Sequence, residues 1–501
     1  METSHSMRRI LFRLFFMISV FAQAAFTEFY CRAADGSNLN AGSTNAAAAS
    51  FTYASGSWVA STGVFTVASG NPSSDGVAVG DFASVYPDGS TVGVFVGRVT
   101  ARDTTTITVS LTAKSGTAPT DGTNTRTLKI GGAWKGPNAA EIFPGAFVAG
   151  TMTNAAGDVV CVNMKNGTSY AVTASIAHTV AGPVRWEGFT TTAHDGGMAV
   201  IDGGVAGASY SLLNTTTSTF NEWVNIIFQN NGLTGCASMV TASGTGRFFR
   251  CVFTGSRGNG AAIGVAVFFE ECEFYGNNLS NTANTGGLAG GGSMIFIFKC
   301  IFHDNAGSNN LGVAYSGGSG IMVIEQCIFD TNGNDGIRMS GLGGIMRISH
   351  SDFYNNVGSG INSAAGAGTS MLILENCNFV KNGGWGINRS GSSLMVGAFR
   401  NLGFGAGTQA NVSGNIAAGI SGVDTINTVN YVADVTPWVD PANGDFRISL
   451  ATAKGTGRGA FTQTAAGYTG TIGYFDVGAA QHKDSGGGLN WPSFMPKLKL
   501  K

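Results

Sequence analysis

Hydrophobic and polar residues alternate in short runs through the middle of the chain. Three consecutive examples are "IMVIEQ" (321–326), "CIFDTN" (327–332) and "DGIRMSG" (335–341), which Gly and Asn bound. A period of two over such short runs is typical of β-strands, and the runs are too poor in helix formers for helices. The pattern therefore predicts an all-β structure of many short strands.

A repeat organises these runs. Phenylalanine recurs at intervals of 21 to 28 residues, at Phe228, Phe253, Phe274, Phe302, Phe329, Phe353, Phe379 and Phe404. Two residues earlier the chain has Ile226, Cys251, Cys272, Cys300, Cys327, Ser351, Cys377 and Leu402. Three residues later it has Asn231, Ser256, Asn277, Asn305, Asn332, Asn356, Asn382 and Gly407. Three short strands in a unit of this length predict one coil of a parallel β-solenoid, in which equivalent residues stack in rows.

The rows predict what each residue type does. Cys and Phe share one face of a strand and should fill the interior, where a free thiol acts as a small hydrophobe. Neighbouring thiols on parallel strands point alongside each other, which favours free thiols over disulfides. Asn should form the bend after this strand, because it tolerates a left-handed backbone and its amide can bond to the next Asn.

These features resemble the right-handed parallel β-helix superfamily, the architecture of pectate lyases, polygalacturonases and many phage tailspikes. The resemblance covers roughly residues 155–480. It extends to "VNMKNGTSYAV" (162–172), similar to a first coil, and to "WVDPANGDFRISLATA" (438–453) and "FDVGAAQH" (475–482), similar to a closing coil. The paired Asp, Gly-His-Gly and Arg-x-Lys of polygalacturonases and the Arg-x-Pro-x-x-Arg of pectate lyases do not occur, so their catalytic residues are not carried over.

The predicted organisation has five parts. Residues 1–24 form a signal peptide, because Arg8 and Arg9 precede a short apolar core and Ala22-Gln23-Ala24. A small antiparallel β-domain follows at 25–150, where strand-like runs alternate with turns such as Pro87-Asp88-Gly89. The β-helix spans 151–430, a closing coil and C-terminal cap span 431–490, and 491–501 is a basic tail. The predicted location is secreted or at the cell surface.

Composition excludes some classes of function. Only 11% of the 501 residues are charged and the net charge is −1, so no basic stripe favours nucleic acid. No second apolar stretch is long enough to span a membrane. No Cys/His spacing indicates zinc, and the sequence predicts no cofactor or metal; a structural or catalytic Ca²⁺ is left open without a pattern that indicates it.

One outward row of the repeat combines aromatic and ionisable residues. It contains Tyr275, His303, Asp330 and Tyr354, and Asp352 projects from the same face. A solvated, decorated face is the favoured interpretation. The alternative is a glycan-binding face, with His303, Asp330 and Asp352 as weak candidates for catalysis.

A second outward row is apolar. Phe268, Phe296, Val323 and Ile373 should form a ridge, and such ridges mark interfaces with a domain, a loop or another subunit. Asp335 and Arg338 are interpreted as an isolated surface ion pair. His350 and Lys299 are assigned to a solvated corner before the cysteine row.

The leading hypothesis is an exported structural or adhesive β-helix protein that self-associates and binds glycans. The alternatives are a polysaccharide lyase or glycoside hydrolase, and a phage tail fibre or tailspike component; a true signal peptide counts against the last.

Overall fold

The structure is a computed structural model of the chain. It describes residues 26–134, 159–412, 428–430 and 438–449. Within these ranges it leaves out 38–39, 42, 47, 91–94, 116–117, 173–175, 179–182, 205–210, 216–219, 232–237, 243, 283–284, 292–293, 306, 318–319, 341–343, 364–369, 390–393, 401, 405–408 and 444. The predicted signal peptide, the basic tail and most of the closing coil lie outside the described residues. Among those described, no helix is long and apolar enough to cross a membrane.

The chain forms two compact units. The first consists of 1–204 with 212–228 and 243–251, and the second of 205–211 with 229–242 and 252–501. In both, the repeat supplies three strands per coil. We call the strand before the cysteine position strand a, the strand that carries the phenylalanine strand b, and the strand after the asparagine strand c.

The first unit contains a closed, antiparallel six-stranded barrel. Its strands, in order around the barrel, are Phe51–Val59, Val64–Thr66, Thr106–Ser115, Phe95–Arg102, Phe82–Pro87 and Gly122–Ile130. A short helix, Pro72–Asp75, begins where the Asn71 side chain accepts from the N–H groups of Ser73 and Ser74. Trp58, Phe65 and Leu128 fill the barrel. The small antiparallel N-terminal structure predicted from the sequence is confirmed.

The same unit holds the first coils. Its a strands are Phe26–Cys31, Val159–Lys165, Val184–Phe189, Asn221–Val224 and Gly246–Phe249, paired in parallel in that order. Its b strands are Tyr170–Ala171, Ala199–Asp202 and Ile226–Gln229, and its c strands are Ile176–His178 and Leu213–Thr215. Phe29 joins coil and barrel, because its ring packs on Phe82 at 4.9 Å and stacks on Trp134 at 5.2 Å.

The second unit has the same three strand positions, and its neighbouring coils pair in parallel. Its a strands are Val267–Glu270, Met294–Phe298, Ile321–Glu325, Ile345–Ser349, Ser370–Glu375 and Leu394–Arg400. Its b strands are Val252–Thr254, Glu273–Tyr275, Ile301–His303, Ile328–Asp330, Asp352–Tyr354, Asn378–Val380, Leu402–Phe404 and Thr428–Asn430. Its c strands are Ser238–Ala242, Asn259–Ile263, Thr285–Gly291, Asn310–Gly317, Ile337–Met339, Ile361–Ser363, Trp385–Arg389 and Gln409–Val412. A hairpin of Trp438–Asp440 and Asp445–Ile448 follows, joined by a 3-10 turn at Pro441–Asn443.

The interior of the second unit is a stack of phenylalanine rings. From Phe253 to Phe379, successive rings lie nearly parallel with centroids 4.5 to 5.0 Å apart, and all are fully buried. The stacked cysteines beside them, Cys272, Cys300, Cys327 and Cys377, are buried and free. The predicted core and its free thiols are confirmed.

A row of glycines makes room for these rings. A Cβ atom at Gly336 would lie 2.8 Å from the Gly360 carbonyl oxygen and 3.0 Å from Cδ1 of Phe353. Gly287, Gly312 and Gly360 have the same surroundings one coil apart. The glycine before the inward apolar residue of these c strands (Leu288, Val313, Ile337 and Ile361) is therefore needed, because a carbonyl group and a ring occupy the space of a side chain.

The asparagine ladder is confirmed in its hydrogen bonds and corrected in its backbone position. Asn332 donates to the Phe302 carbonyl at 3.0 Å and to Oδ1 of Asn356 at 2.9 Å, and Asn305 donates to Asn332 at 2.8 Å. The left-handed residue, however, is the one before it: Thr331 has φ of +52° and Asp304 has φ of +48°. The ladder amides point inward and bond to carbonyl groups that the bend leaves without a strand partner. The residue before each ladder asparagine adopts the left-handed backbone conformation that makes the bend.

A second left-handed row lies just before the cysteine position. Its members are Asn225, Arg250, Glu271, Lys299, Gln326, His350 and Asn376, with φ between +48° and +56°. This is the corner that the sequence analysis assigned to solvent at His350 and Lys299, and that assignment fails at His350. Asn376 is buried, and its amide lies 2.9 Å from Nε2 of His350. Burial lowers the pKa of His350 to about 4, so this imidazole is neutral at pH 7.

Candidate functional site

The candidate row lies on the outer face of the b strands, where parallel pairing aligns it. Register places Tyr275 opposite His303, His303 opposite Asp330, and Asp330 opposite Tyr354. The alignment of the repeat thus placed these residues in neighbouring coils correctly.

His303 is held between two carboxylates. Its Nδ1 lies 2.8 Å from Oδ2 of Asp304 and its Nε2 lies 2.8 Å from Oε1 of Glu273, so both ring nitrogens are engaged. Burial alone would lower the pKa of His303, but these two acidic partners outweigh it and raise the pKa to about 9. At neutral pH the ring is an imidazolium with both protons committed to neighbours. The ring can hold a positive charge at this position, but it cannot accept a proton as a base.

Asp330 is the member of the row whose ionisation falls near neutrality. Burial raises its pKa to about 6, against the opposing effects of the Thr331 hydroxyl and the charge of His303. The residue as a whole is half-buried. Asp330 is therefore the residue of this row best suited to exchange a proton with a ligand.

Contacts with other side chains limit the ring surface that Tyr275 and Tyr354 can offer to a ligand. The Tyr275 ring stacks on the His303 ring with centroids 5.1 Å apart, so one of its faces is covered by protein. Trp438 and Phe446 of the hairpin contact Tyr354 edge-on at 5.4 and 5.9 Å, and Tyr354 is buried. Of the two rings expected from the sequence to face a ligand, only Tyr275 remains partly exposed, as a half-buried residue.

Asp352 shares the outer face but is fully buried. It accepts a hydrogen bond from Nδ2 of Asn378 in the next coil at 2.8 Å. The half-buried members of the row are Tyr275, Asp330 and Thr254, which is the register partner of Tyr275 in the preceding coil.

The predicted apolar ridge is present as one register row, but its exposure is uneven. Phe268 and Phe296 stack with centroids 4.7 Å apart and are 8% and 7% exposed. Val323 and Ile373 are half-buried, and register places the exposed Arg347 between them. The surface left for a partner is therefore Val323 and Ile373 rather than the two rings.

Asp335 and Arg338 form a buried network instead of the isolated surface pair expected from the sequence. Asp335 is 2% exposed and accepts from Nη2 of Arg338 at 2.6 Å, the Ser359 N–H at 2.8 Å and Nδ2 of Asn362 at 2.9 Å. Because two of these donors come from the following coil, Asp335 fixes one coil on the next.

Sequence reasoning also missed a charged row on the a strands of the first unit. Arg185 is 2.8 Å from Glu187 and 3.4 Å from Glu222, and Arg247 is 2.6 Å from the other oxygen of Glu222. The alignment began at Phe228, after most of these residues. Alignment on tryptophan would have found them, since Trp186 and Trp223 are register partners whose rings stack at 5.1 Å.

Comparison with known proteins agrees with this architecture. Residues 248–401 match the family model described as right handed beta helix region. That segment of the chain is a right-handed parallel β-helix, as the resemblance implied. None of the curated proteins compared with the chain matches it at a significant level.

Three solved structures show what the chain is similar to. The pectate lyase Pel9A is 16% identical, over 65% of this chain and 88% of that one, with a TM-score of 0.46. The pectin methylesterase from Aspergillus niger is 11% identical, over 54% and 81%, with a TM-score of 0.28. The tailspike protein gp49 from Pseudomonas phage LKA1 is 11% identical, over 78% and 69%, with a TM-score of 0.24.

Proposed function

We propose that the protein is an exported structural or adhesive β-helix protein whose b-strand face contacts extended polysaccharide. The observation that carries the proposal is the state of His303. Both of its nitrogens are bonded to carboxylates and its ring is stacked on Tyr275, so the most chemically versatile side chain of the face is fixed in a structural role. Export rests on the basic, apolar and small-residue pattern within residues 8–24.

Polysaccharide is the ligand that suits the half-buried members of this row. Strands of neighbouring coils repeat at about 4.8 Å, so Tyr275 and Asp330, which are two coils apart, can contact two separate positions along an extended chain. Asp330 offers a carboxyl group and Tyr275 a hydroxyl and a ring, which suit sugar hydroxyls and the apolar face of a sugar ring.

Binding to immobilised neutral and acidic polysaccharides tests the proposal. We expect retention of the wild type and a weakening of about tenfold in Tyr275→Ala, which removes the half-buried ring of the row. Tyr354→Phe serves as the matched control, because the Tyr354 ring already lies under Trp438 and Phe446. Equal retention of all three proteins would exclude this face as the binding surface.

A second candidate function, polysaccharide cleavage, is favoured by the pKa of Asp330 alone. A carboxyl group with a pKa of about 6 can donate or accept a proton near neutrality. Incubation with acidic polysaccharides, followed for unsaturated products and reducing ends, tests it. We expect no turnover; activity that Asp330→Asn abolishes while binding persists would replace the structural proposal with an enzymatic one.

A further inference from the structure

Three side chains with different metal-binding atoms meet at one point in the first unit. One donor atom from each of Glu28, Cys161 and His194 lies within 4.8 Å of the other two. Glu28 and Cys161 are register partners on adjacent a strands, Phe26–Cys31 and Val159–Lys165. His194 reaches them from the loop that follows the next a strand, Val184–Phe189.

The loop is folded so that it presents His194. The Asp195 carboxylate accepts hydrogen bonds from the N–H groups of Thr190, Thr191, Thr192 and Gly197 at 2.6 to 3.1 Å. His194 itself has φ of +64°, a conformation that costs energy for a residue with a side chain.

His194 and Glu28 each also have a hydrogen-bond partner outside the group of three. Nδ1 of His194 lies 2.7 Å from Oε2 of Glu187, which leaves Nε2 beside Oε1 of Glu28 at 2.9 Å. Asn163 donates from Nδ2 to the other oxygen of Glu28. Protein zinc sites share this arrangement, in which a carboxylate orients a ligating histidine and a hydrogen bond orients a ligating carboxylate.

We propose that Glu28, Cys161 and His194 form a zinc site, with a fourth position open to water. Sulfur, imidazole nitrogen and carboxylate oxygen together suit Zn²⁺, whereas Ca²⁺ and Mg²⁺ require oxygen ligands. Ligand atoms around tetrahedral zinc are roughly 3.3–3.8 Å apart, given bonds of about 2.0–2.3 Å. Small side-chain movements would therefore bring the three ligand atoms, now within 4.8 Å of one another, to the separations of a tetrahedral site.

The chain contains its own comparison. His303 in the second unit also bridges two carboxylates, Glu273 and Asp304, but among the described residues no thiol joins it in a group arranged to hold a metal ion. If the His194 cluster were only a network of ion pairs, replacing His194 and replacing His303 would have the same effect on metal binding.

The test uses the full, tag-free chain after removal of metal with a chelator. Zn²⁺ binding is measured by competition with a chromophoric chelator, and Co²⁺ is used as a spectroscopic probe. We expect one tightly bound metal ion per chain and a thiolate-to-cobalt charge-transfer band. The band should be lost in Cys161→Ser and His194→Gln, and retained in His303→Gln. Glu187→Gln should weaken binding by about tenfold or more.

Two results would overturn the zinc site. One is the absence of stoichiometric metal binding by the wild type, which would leave an ion network only. The other is a charge-transfer band that persists in Cys161→Ser. Because loss of the buried Cys161 can impair folding, Glu28→Gln is measured in parallel; with circular dichroism unchanged, it should lower metal affinity at least tenfold.

Discussion

The residues of the two left-handed rows differ in type although their backbones agree. Asn, Asp, Lys, Gln, Glu, Arg, His and Thr all occur there with φ near +50°. Such a conformation costs about 1–3 kcal/mol for most residues with a side chain, and least for Asn and Gly. The stacked coils supply enough packing and hydrogen bonding to hold even a β-branched residue, Thr331, in this conformation.

Thr331→Asn should therefore stabilise the protein by about 0.5–1 kcal/mol, because Asn tolerates the left-handed conformation and occupies the equivalent position 355 one coil later. Urea unfolding measures the change. Thr254→Asn is the control, since Thr254 lies in a strand where β-branched residues are favoured and should lose stability. A loss of stability in Thr331→Asn as large as in the control would show that the bend is not strained.

Gly336→Ala should destabilise the protein by about 1–3 kcal/mol, because the added methyl group meets the Gly360 carbonyl oxygen at 2.8 Å and the Phe353 ring at 3.0 Å. Gly264→Ala is the matched control: its nearest neighbour is 3.9 Å away and its φ is not left-handed. Both are compared by thermal and urea unfolding. Equal stability of the two variants would mean that the ring stack can shift to admit a side chain.

At the scale of the strands, the b-strand face carries a group whose charge should make stability depend on pH. The folded pKa of His303 is about 9, above its usual 6.5, so folding favours the protonated ring. This contribution is present in full below pH 6.5 and is lost as the pH rises through about 9. Asp330 acts in the same direction at lower pH, because its pKa is raised from 3.8 to about 6 and stability is lost as it ionises.

His303→Gln should flatten the upper part of this dependence. We expect the wild type to lose roughly 2–3 kcal/mol more than the variant between pH 6.5 and 9, since each unit of pKa shift corresponds to about 1.4 kcal/mol. Urea unfolding at half-unit pH intervals measures the difference. Parallel curves for the two proteins would contradict the assignment of His303 as a stabilising imidazolium.

The strands and the rows of stacked residues could be predicted from the sequence. The side chains from other segments that pack over these rows could not. The spacing of Phe and Cys along the chain determines which residues stack, because parallel pairing repeats in every coil. The ring stack from Phe253 to Phe379 can be predicted in this way. So can the placement of His303 opposite Asp330. The cover over Tyr354 comes from Trp438 and Phe446, far along the chain and outside the period. The same holds for His194, whose approach to Glu28 and Cys161 depends on one loop.

For the whole molecule, the proposed self-association depends on how much apolar surface remains outside. Phe268 and Phe296 are nearly buried within the chain, so Phe296→Glu would destabilise the fold whether or not a partner binds. Val323→Glu is the better probe, because Val323 is half-buried and lies opposite Arg347 in the register.

We expect the wild type to sediment as an oligomer and Val323→Glu to associate at least tenfold more weakly, with an unchanged unfolding midpoint. Analytical ultracentrifugation over a range of concentrations measures both. Thr254→Glu, on the b-strand face, is the control for added negative charge. A wild type that is monomeric at all concentrations would remove self-association from the proposed function.

The free thiols of the core give the second unit a built-in set of chemical reporters. Cys272, Cys300, Cys327 and Cys377 belong to different coils, are fully shielded, and have no disulfide to slow their exposure. An alkylating reagent can reach each thiol only when its own coil separates from its neighbours. The relative labelling rates would therefore show whether the stack opens from one end, from both, or all at once.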